Sequence, residues 1–311
     1  MSNQAEAFEK GESALTPYLI VRGAADALAF YARALGAVER VRMKEPDGRI
    51  GHAEMRVGDT VFMLADEYPE LGKLSPKSIG GTSVSLHLYV PDVDSAFERA
   101  VGAGATATIG LKDEFYGDRT GRITDPFGHD WMLATRKENV SPEEMKRRVD
   151  ALMAKGGFEA GEKRKVRPIP AGYRTVTPYL VVKNVAGVIE FAKKAFGATE
   201  KFRSARPDGS IQHAEILVGD SIVMLGEAGG DFAPKPTTLA LYVEDVDAVY
   251  KRAVAAGGKS VREPANQFYG DRSAGVEDSA GNQWWISTHV EDVTPEEMER
   301  RAEEAYAGAK H

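Results

Sequence analysis

The chain states one pattern twice. Gly51-His52-Ala53-Glu54 returns as Gln212-His213-Ala214-Glu215, Phe115-Tyr116-Gly117-Asp118-Arg119 as Phe268-Tyr269-Gly270-Asp271-Arg272, and Pro142-Glu143-Glu144-Met145 as Pro295-Glu296-Glu297-Met298. The offset is 161 residues at the first motif (213 − 52) and 153 at the second (268 − 115), so the later copy is eight residues shorter between them. A repeat of this length is a duplicated domain, because solenoid units recur every ~20–50 residues. Duplication supplies an internal control: a residue that differs between the copies is not required by the fold.

With 311 residues the chain accommodates two domains, each large enough for its own core. We place the first copy at residues 14–155, a linker at 156–173 and the second copy at 174–309. The linker contains the basic run Lys163-Arg164-Lys165-Val166-Arg167 next to Gly156-Gly157, read as solvated connector. The balance of 47 acidic against 40 basic residues, net −7, argues against capture of nucleic acid or of an anionic membrane. Residues 1–16 show no apolar run suited to a signal or a span, and a cytoplasmic location is expected. The absence of cysteine excludes disulfides, thiolate nucleophiles and thiolate metal sites.

Each copy divides again. In the first, the apolar run Tyr18-Leu19-Ile20-Val21 reads as a strand, and Ala24, Leu28, Tyr31 and Leu35 form a helical stripe closed by Gly36. Three strands follow, at 38–43, 50–57 and 60–65, separated by the turns Pro46-Asp47-Gly48 and Gly58-Asp59. The same order recurs: a strand at 84–90, a helix carrying Val93, Phe97, Ala100 and Val101, then strands near 105–109, 121–125 and 130–135. The fold class is α+β, with four βαβββ modules in two domains and curved, mostly antiparallel sheets. Ser141-Pro142-Glu143-Glu144 and Thr294-Pro295-Glu296-Glu297 fit capping boxes, and Met145, Val149, Leu152 and Met153 supply the apolar face of the first capped helix.

Counting back from the Gly58-Asp59 hairpin pairs Val57 with Thr60, Glu54 with Met63 and His52 with Ala65. Ala53, Met55 and Val57 then face the helices, and His52, Glu54 and Arg56 face away. By the same alternation His87 and Tyr89 lie on the open face, as does Met132, whereas Trp131 and Trp284 are core.

The paired βαβββ modules, the Tyr-Gly-Asp-Arg pattern before Asp125-Pro126-Phe127-Gly128-His129-Asp130-Trp131, and the ending from Thr288 to Met298 resemble the vicinal oxygen chelate superfamily. That superfamily holds glyoxalase I, bleomycin-resistance proteins and extradiol dioxygenases, and the chain is most similar to its PhnB-like branch. The resemblance implies metal ligands on the first and last strand of each module. Carried over by the strand pattern, those positions are Thr16, Met63, Ser85 and Met132 in the first copy and Thr177, Met224, Thr238 and Trp285 in the second. None is a histidine or a carboxylate, and a thioether is too soft to replace one around Zn, Ni, Mn or Fe. No metal and no other cofactor is therefore expected.

The remaining candidates follow from the open face. Glu54 and Glu215 become general bases if desolvation raises their pKa, beside His52 and His213; alternatively each His–Glu pair, or Arg56, simply fixes its strand. His87, replaced by Ala240, is not a fold requirement, and with His52 and Glu54 it offers a displaced set of two histidines and one carboxylate. Tyr116 and Arg119, with Tyr269 and Arg272, occupy a loop that the family uses near its pocket mouth, where the arginines either grip an anionic group or pair with Asp118 or Asp125. Tyr89 and Tyr242 offer rings or hydroxyls to a ligand. With Met63, Met132, Met224 and Trp285, these residues suit a small organic ligand held without metal, for sequestration or resistance. The alternative is a metal-dependent lyase, isomerase or dioxygenase of the glyoxalase type. The chain is read as a monomer acting as an internal dimer, or as a homodimer.

Overall fold

The computed structural model describes residues 13–82, 84–155, 166–206, 208–229 and 233–308. The chain order is β1 (Leu15–Val21), α1 (Ala24–Leu35), β2 (Val38–Lys44), β3 (Ile50–Val57), β4 (Thr60–Asp66), α2 (Pro76–Ile79), β5 (Ser85–Tyr89), α3 (Val93–Gly102), β6 (Thr106–Asp113), β7 (Asp118–Thr124), β8 (Asp130–Arg136) and α4 (Pro142–Lys155). It continues with β9 (Val176–Val182), α5 (Val185–Phe196), β10 (Thr199–Ala205), β11 (Ile211–Val218), β12 (Ser221–Glu227), β13 (Thr238–Tyr242), α6 (Val246–Ala255), β14 (Lys259–Asn266), β15 (Asp271–Glu277), β16 (Gln283–His289) and α7 (Pro295–Gly308). The βαβββ order thus holds four times. One departure from the sequence reading is local: the loop after β4 contains a 3-10 turn at Pro69–Leu71 and the short α2, each opened by a proline whose missing N–H costs nothing at a helix start. The reading of residues 1–12 and of linker residues 156–165, including Lys163 to Lys165, falls outside the described residues, as do the side chains of Leu152 and Met153.

The strands form two eight-stranded mixed sheets, ordered β14-β15-β16-β13-β1-β4-β3-β2 and β10-β11-β12-β9-β5-β8-β7-β6. Most pairs are antiparallel, as expected, and β5 with β8 and β13 with β16 are parallel. Contacts divide the chain into two compact units, one of residues 13–18 with those from 181 onward, the other of residues 19–180.

In the unit of residues 19–180, the hairpin register matches the count from Gly58-Asp59, with Val57 opposite Thr60 and Glu54 opposite Met63. Ala53, Met55 and Val57 are buried on the helix side. The start of β9 is tied to that hairpin: the Thr175 N–H donates to Asp59 Oδ1 at 2.8 Å and the Val176 N–H to Thr60 Oγ1 at 3.1 Å. Trp131 is fully buried among Tyr31 and Phe62, with ring centroids 5.6 and 5.8 Å away. Burial of such side chains contributes ~1.5–3 kcal/mol each. Asp125 organises this core, accepting from Tyr31 Oη at 2.7 Å, Trp131 Nε1 at 3.0 Å and the N–H groups of Phe127 and His129.

In the other unit the Ala14 N–H donates to Asp220 Oδ1 at 2.9 Å, repeating the hairpin tie. Asp278 repeats the aspartate, accepting from Trp284 Nε1 at 3.0 Å and from Asn282, which stands where the first copy has His129. Ala192, Val223 and Ala280 replace Tyr31, Phe62 and Phe127. Phe196, in the place of Leu35, refills the space with its ring 4.8 Å from Trp284. The capping serines and threonines act as read, with the Glu144 N–H on Ser141 Oγ at 3.2 Å and the Glu297 N–H on Thr294 Oγ1 at 3.3 Å.

Candidate functional site

Backbone register assembles one row of side chains across five strands in each unit. In the unit with the second copy, Thr16 lies opposite Ala240, Ala240 opposite Trp285, Trp285 opposite Gly275 and Gly275 opposite Arg262. In the other unit the row runs Thr177, His87, Met132, Arg122 and Ile109. Both lie on the sheet face away from the helices, because their strand neighbours Leu239, Leu241, Trp284 and Ile286, and likewise Leu86, Leu88, Trp131 and Leu133, form the buried helix side. The residue opposite Thr177 is His87; Ser85, a ligand position by the family resemblance, pairs with Tyr179, and Thr238 with Gln283. Periodicity fixes a face but not the position along it, so a two-residue slide is invisible in sequence.

In the first copy's row His87 stacks on Tyr179, centroids 5.4 Å apart and planes 10° from parallel. In the second copy's row Ala240 and Gly275 flank the large Trp285. A Cβ on Gly275 would lie 3.2 Å from the indole, so the glycine is what admits it. Arg262 covers that indole, its Cζ 4.6 Å from the ring centroid, and donates to Ser273 Oγ. Neither Arg262 nor Arg122 was singled out from sequence. Locating them requires pairing β14 with β15 and β6 with β7, and both pairings are shifted by bulges near those residues.

His52, Glu54 and Met63 share the open side of β3 and β4 as expected. His52 Nε2 and Arg40 Nη1 each lie 3.5 Å from the Glu54 carboxylate. The partner is Arg40; Arg56 turns to the Gly58 carbonyl instead. Burial pushes the Glu54 pKa up, but the His52 hydrogen bond and charge and the Arg40 charge outweigh it, and the net shift is downward. The condition for a general base, a raised pKa, is not met. His213 Nε2 and Glu215 repeat the contact at 3.2 Å, with Met224 opposite Glu215. Met63 and Met224 are buried.

The structure does not bring His52, Glu54 and His87 together. Strand β3 belongs to one sheet and β5 to the other, and among the described residues no three His, Cys, Asp or Glu side chains form a metal-holding group. At the row positions the donors are hydroxyls, a thioether, an indole and a single imidazole, which do not fit a hard divalent ion.

The Arg119 and Arg272 guanidiniums are held by the first turn of a helix. Arg119 grips Asp94 through Nε and Nη2 at 2.9 Å, and Arg272 grips Asp247 at 2.6 and 2.8 Å. Neither anticipated partner is used, since Asp118 pairs with Arg136 and Asp125 with Tyr31 and Trp131. The tyrosine hydroxyls are similarly committed. Tyr89 donates to Asp118 at 2.9 Å and Tyr242 to Asp271 at 2.7 Å. Tyr116 and Tyr269 each pack edge-on against the preceding phenylalanine at 5.2 Å, and burial raises the pKa of both.

Comparison with known proteins fits this architecture. An uncharacterized protein of Mycobacterium bovis is 45% identical over 137 residues, 43% of this chain and 90% of its own length. Among solved structures, a glyoxalase I mutant from Zea mays superposes with a TM-score of 0.63 at 17% identity, covering 89% of this chain and 94% of its own. A putative dioxygenase from Bacillus subtilis gives 0.57 at 13% identity, covering 95% and 93%. At such identities these two structures show shared fold alone. The model of the Glyoxalase/Bleomycin resistance protein/Dioxygenase superfamily matches twice, at residues 14–133 and 174–286, and with the βαβββ order repeated in both segments the chain belongs to that superfamily as a tandem duplicate.

Proposed function

We propose that the chain binds small organic molecules on the open faces of its two rows without a metal ion, as a sequestration or resistance-type protein. The observation that carries this reading is the composition of the rows. Where the family resemblance implies chelating side chains, Thr16 and Trp285 stand in one and Thr177 and Met132 in the other, with Ala240 and His87 beside them. Half-buried aromatic, thioether and guanidinium groups suit a flat or amphipathic ligand. His52 and His213, with their glutamates, offer polar contacts on the neighbouring strands.

Duplication gives one chain two such surfaces, so we read it as a monomer doing the work of a single-copy dimer, with domains at 14–155 and 174–309, working in the cytoplasm. The affinity to the PhnB-like branch rests on the Tyr-Gly-Asp-Arg motif and the shared ending. Calorimetric titration against a library of aromatic and amphipathic small molecules, with elemental analysis of the same preparation, tests the reading. Micromolar binders in protein free of stoichiometric metal support it. Near-stoichiometric Ni, Zn, Mn or Fe, or no binder at all, overturns it.

A further inference from the structure

Resting on that reading, one residue narrows the ligand class. Arg262 has neutral partners: the Trp285 ring beneath it and Ser273 Oγ. Its Nε is buried and, among the described residues, has no hydrogen-bond partner. In the same unit Arg272 is matched by Asp247, and Arg301 by Glu291 and Glu297. A partly desolvated guanidinium without a counter-charge is costly, since the charge loses hydration and gains no ion pair.

The two copies show that a cation is kept here by different means. The first has Ile109 on β6 and Arg122 on β7; the second has Arg262 on β14 and Gly275 on β15. The arginine has moved one strand outward, and the vacated position is a glycine that leaves room for the indole. The same pair of neighbouring strands thus carries one arginine of the row in each copy, on β7 in the first and on β14 in the second.

We propose that Arg262, on its Trp285 platform, is an oxyanion subsite for the carboxylate of a flat aromatic acid, whose ring lies along the indole and whose carboxylate accepts from the guanidinium. A carboxylate matches the planar fork of donors and supplies the missing counter-charge. A ligand held by the guanidinium lies next to the indole beneath it, so binding changes the surroundings of Trp285.

The test uses 2-naphthoate and its neutral analogue 2-naphthamide, followed at the Trp285 indole N–H resonance of the full chain. The other two of the three tryptophans are fully buried, and Trp285→Phe assigns the signal. Naphthoate is expected to shift this resonance at concentrations about tenfold lower than naphthamide. Arg262→Met, which keeps the aliphatic stem over the indole, removes that preference and leaves naphthamide unchanged. Should that variant fail to fold, the wild-type preference and its weakening by salt decide the matter. Equal shifts from both compounds in wild type, or full preference retained in Arg262→Met, overturn the subsite and leave small-molecule binding standing. No response to either compound also overturns the subsite, while binding in general is judged by the library titration.

Discussion

The two five-strand rows are built on the same backbone and filled in opposite ways. Thr177-His87-Met132-Arg122-Ile109 places medium-sized groups at every step, whereas Thr16-Ala240-Trp285-Gly275-Arg262 sets one very large ring between two of the smallest residues. The cores behind them differ in the same compensating manner, with Tyr31, Phe62 and Phe127 around Trp131 and Phe196 against Trp284. The fold therefore fixes the aspartate, the core tryptophan and the apolar filling of the helix side, while the open face is free to diverge. Divergence on a surface that the fold does not constrain is where a difference in ligand would be written.

The contrast is broken most strongly at the aspartates. Asp125→Ala strands the Tyr31 hydroxyl, the Trp131 N–H and two backbone N–H groups in the core, an expected loss of about 3–5 kcal/mol in denaturant unfolding. Asp278→Ala is expected to cost about as much, because Ala192 offers no hydroxyl but the buried Asn282 Nδ2, which donates to Asp278 Oδ2 at 2.9 Å, is stranded in its place. A markedly smaller loss for Asp278→Ala would show that Asn282 does not take over the part of Tyr31.

Transplanting one row into the other comes next. Gly275→Arg puts a side chain where even its Cβ would sit 3.2 Å from the indole, an expected overpacking cost of about 1–3 kcal/mol. Adding Trp285→Met, the first copy's residue, is expected to recover most of it, and thermal melts of the four members of the cycle measure the coupling. Strict additivity would mean that Gly275 is not there to admit the ring. His87→Ala, copying Ala240, removes the stack on Tyr179 and is expected to cost about 0.5–1.5 kcal/mol.

The smallest effect is one of pH. Burial lowers the pKa of His129 below its ordinary 6.5, against the pull of Asp125, and its Nδ1 is buried without a partner among the described residues. The unfolded chain then binds more protons than the folded one, so the stability this neutral histidine allows is present above 6.5 and is lost as the pH falls below it. His129→Asn, which copies Asn282, is expected to flatten the stability profile between about pH 7 and 5. An unchanged slope in urea unfolding would place the acid sensitivity elsewhere.

Much of this architecture was legible in the chain itself. Two copies, four modules, the helix-facing residues and the hairpin register followed from period and turn chemistry, since a two-residue loop leaves a strand pair no choice of alignment. The core role of the tryptophans followed from alternation. Partnerships across the fold did not. The grip of Asp94 on Arg119 joins residues 25 apart in sequence, on a helix and a strand that only tertiary packing brings together. The exchange of Arg122 for Arg262 was hidden for a related reason: the bulges between β6 and β7 and between β14 and β15 break the count that works in the hairpin. Glu54 shows the limit for chemistry, because its carboxylate is partly desolvated as expected, yet Arg40 and His52 reverse the direction of its pKa.

The most direct measurement is calorimetry of the library ligand bound best, before and after exhaustive dialysis of the protein against a strong chelator. Unchanged affinity and stoichiometry are the result predicted for rows of hydroxyl, aromatic, thioether and guanidinium groups. Binding that disappears with the chelator and returns with added Ni, Zn, Mn or Fe would contradict the account.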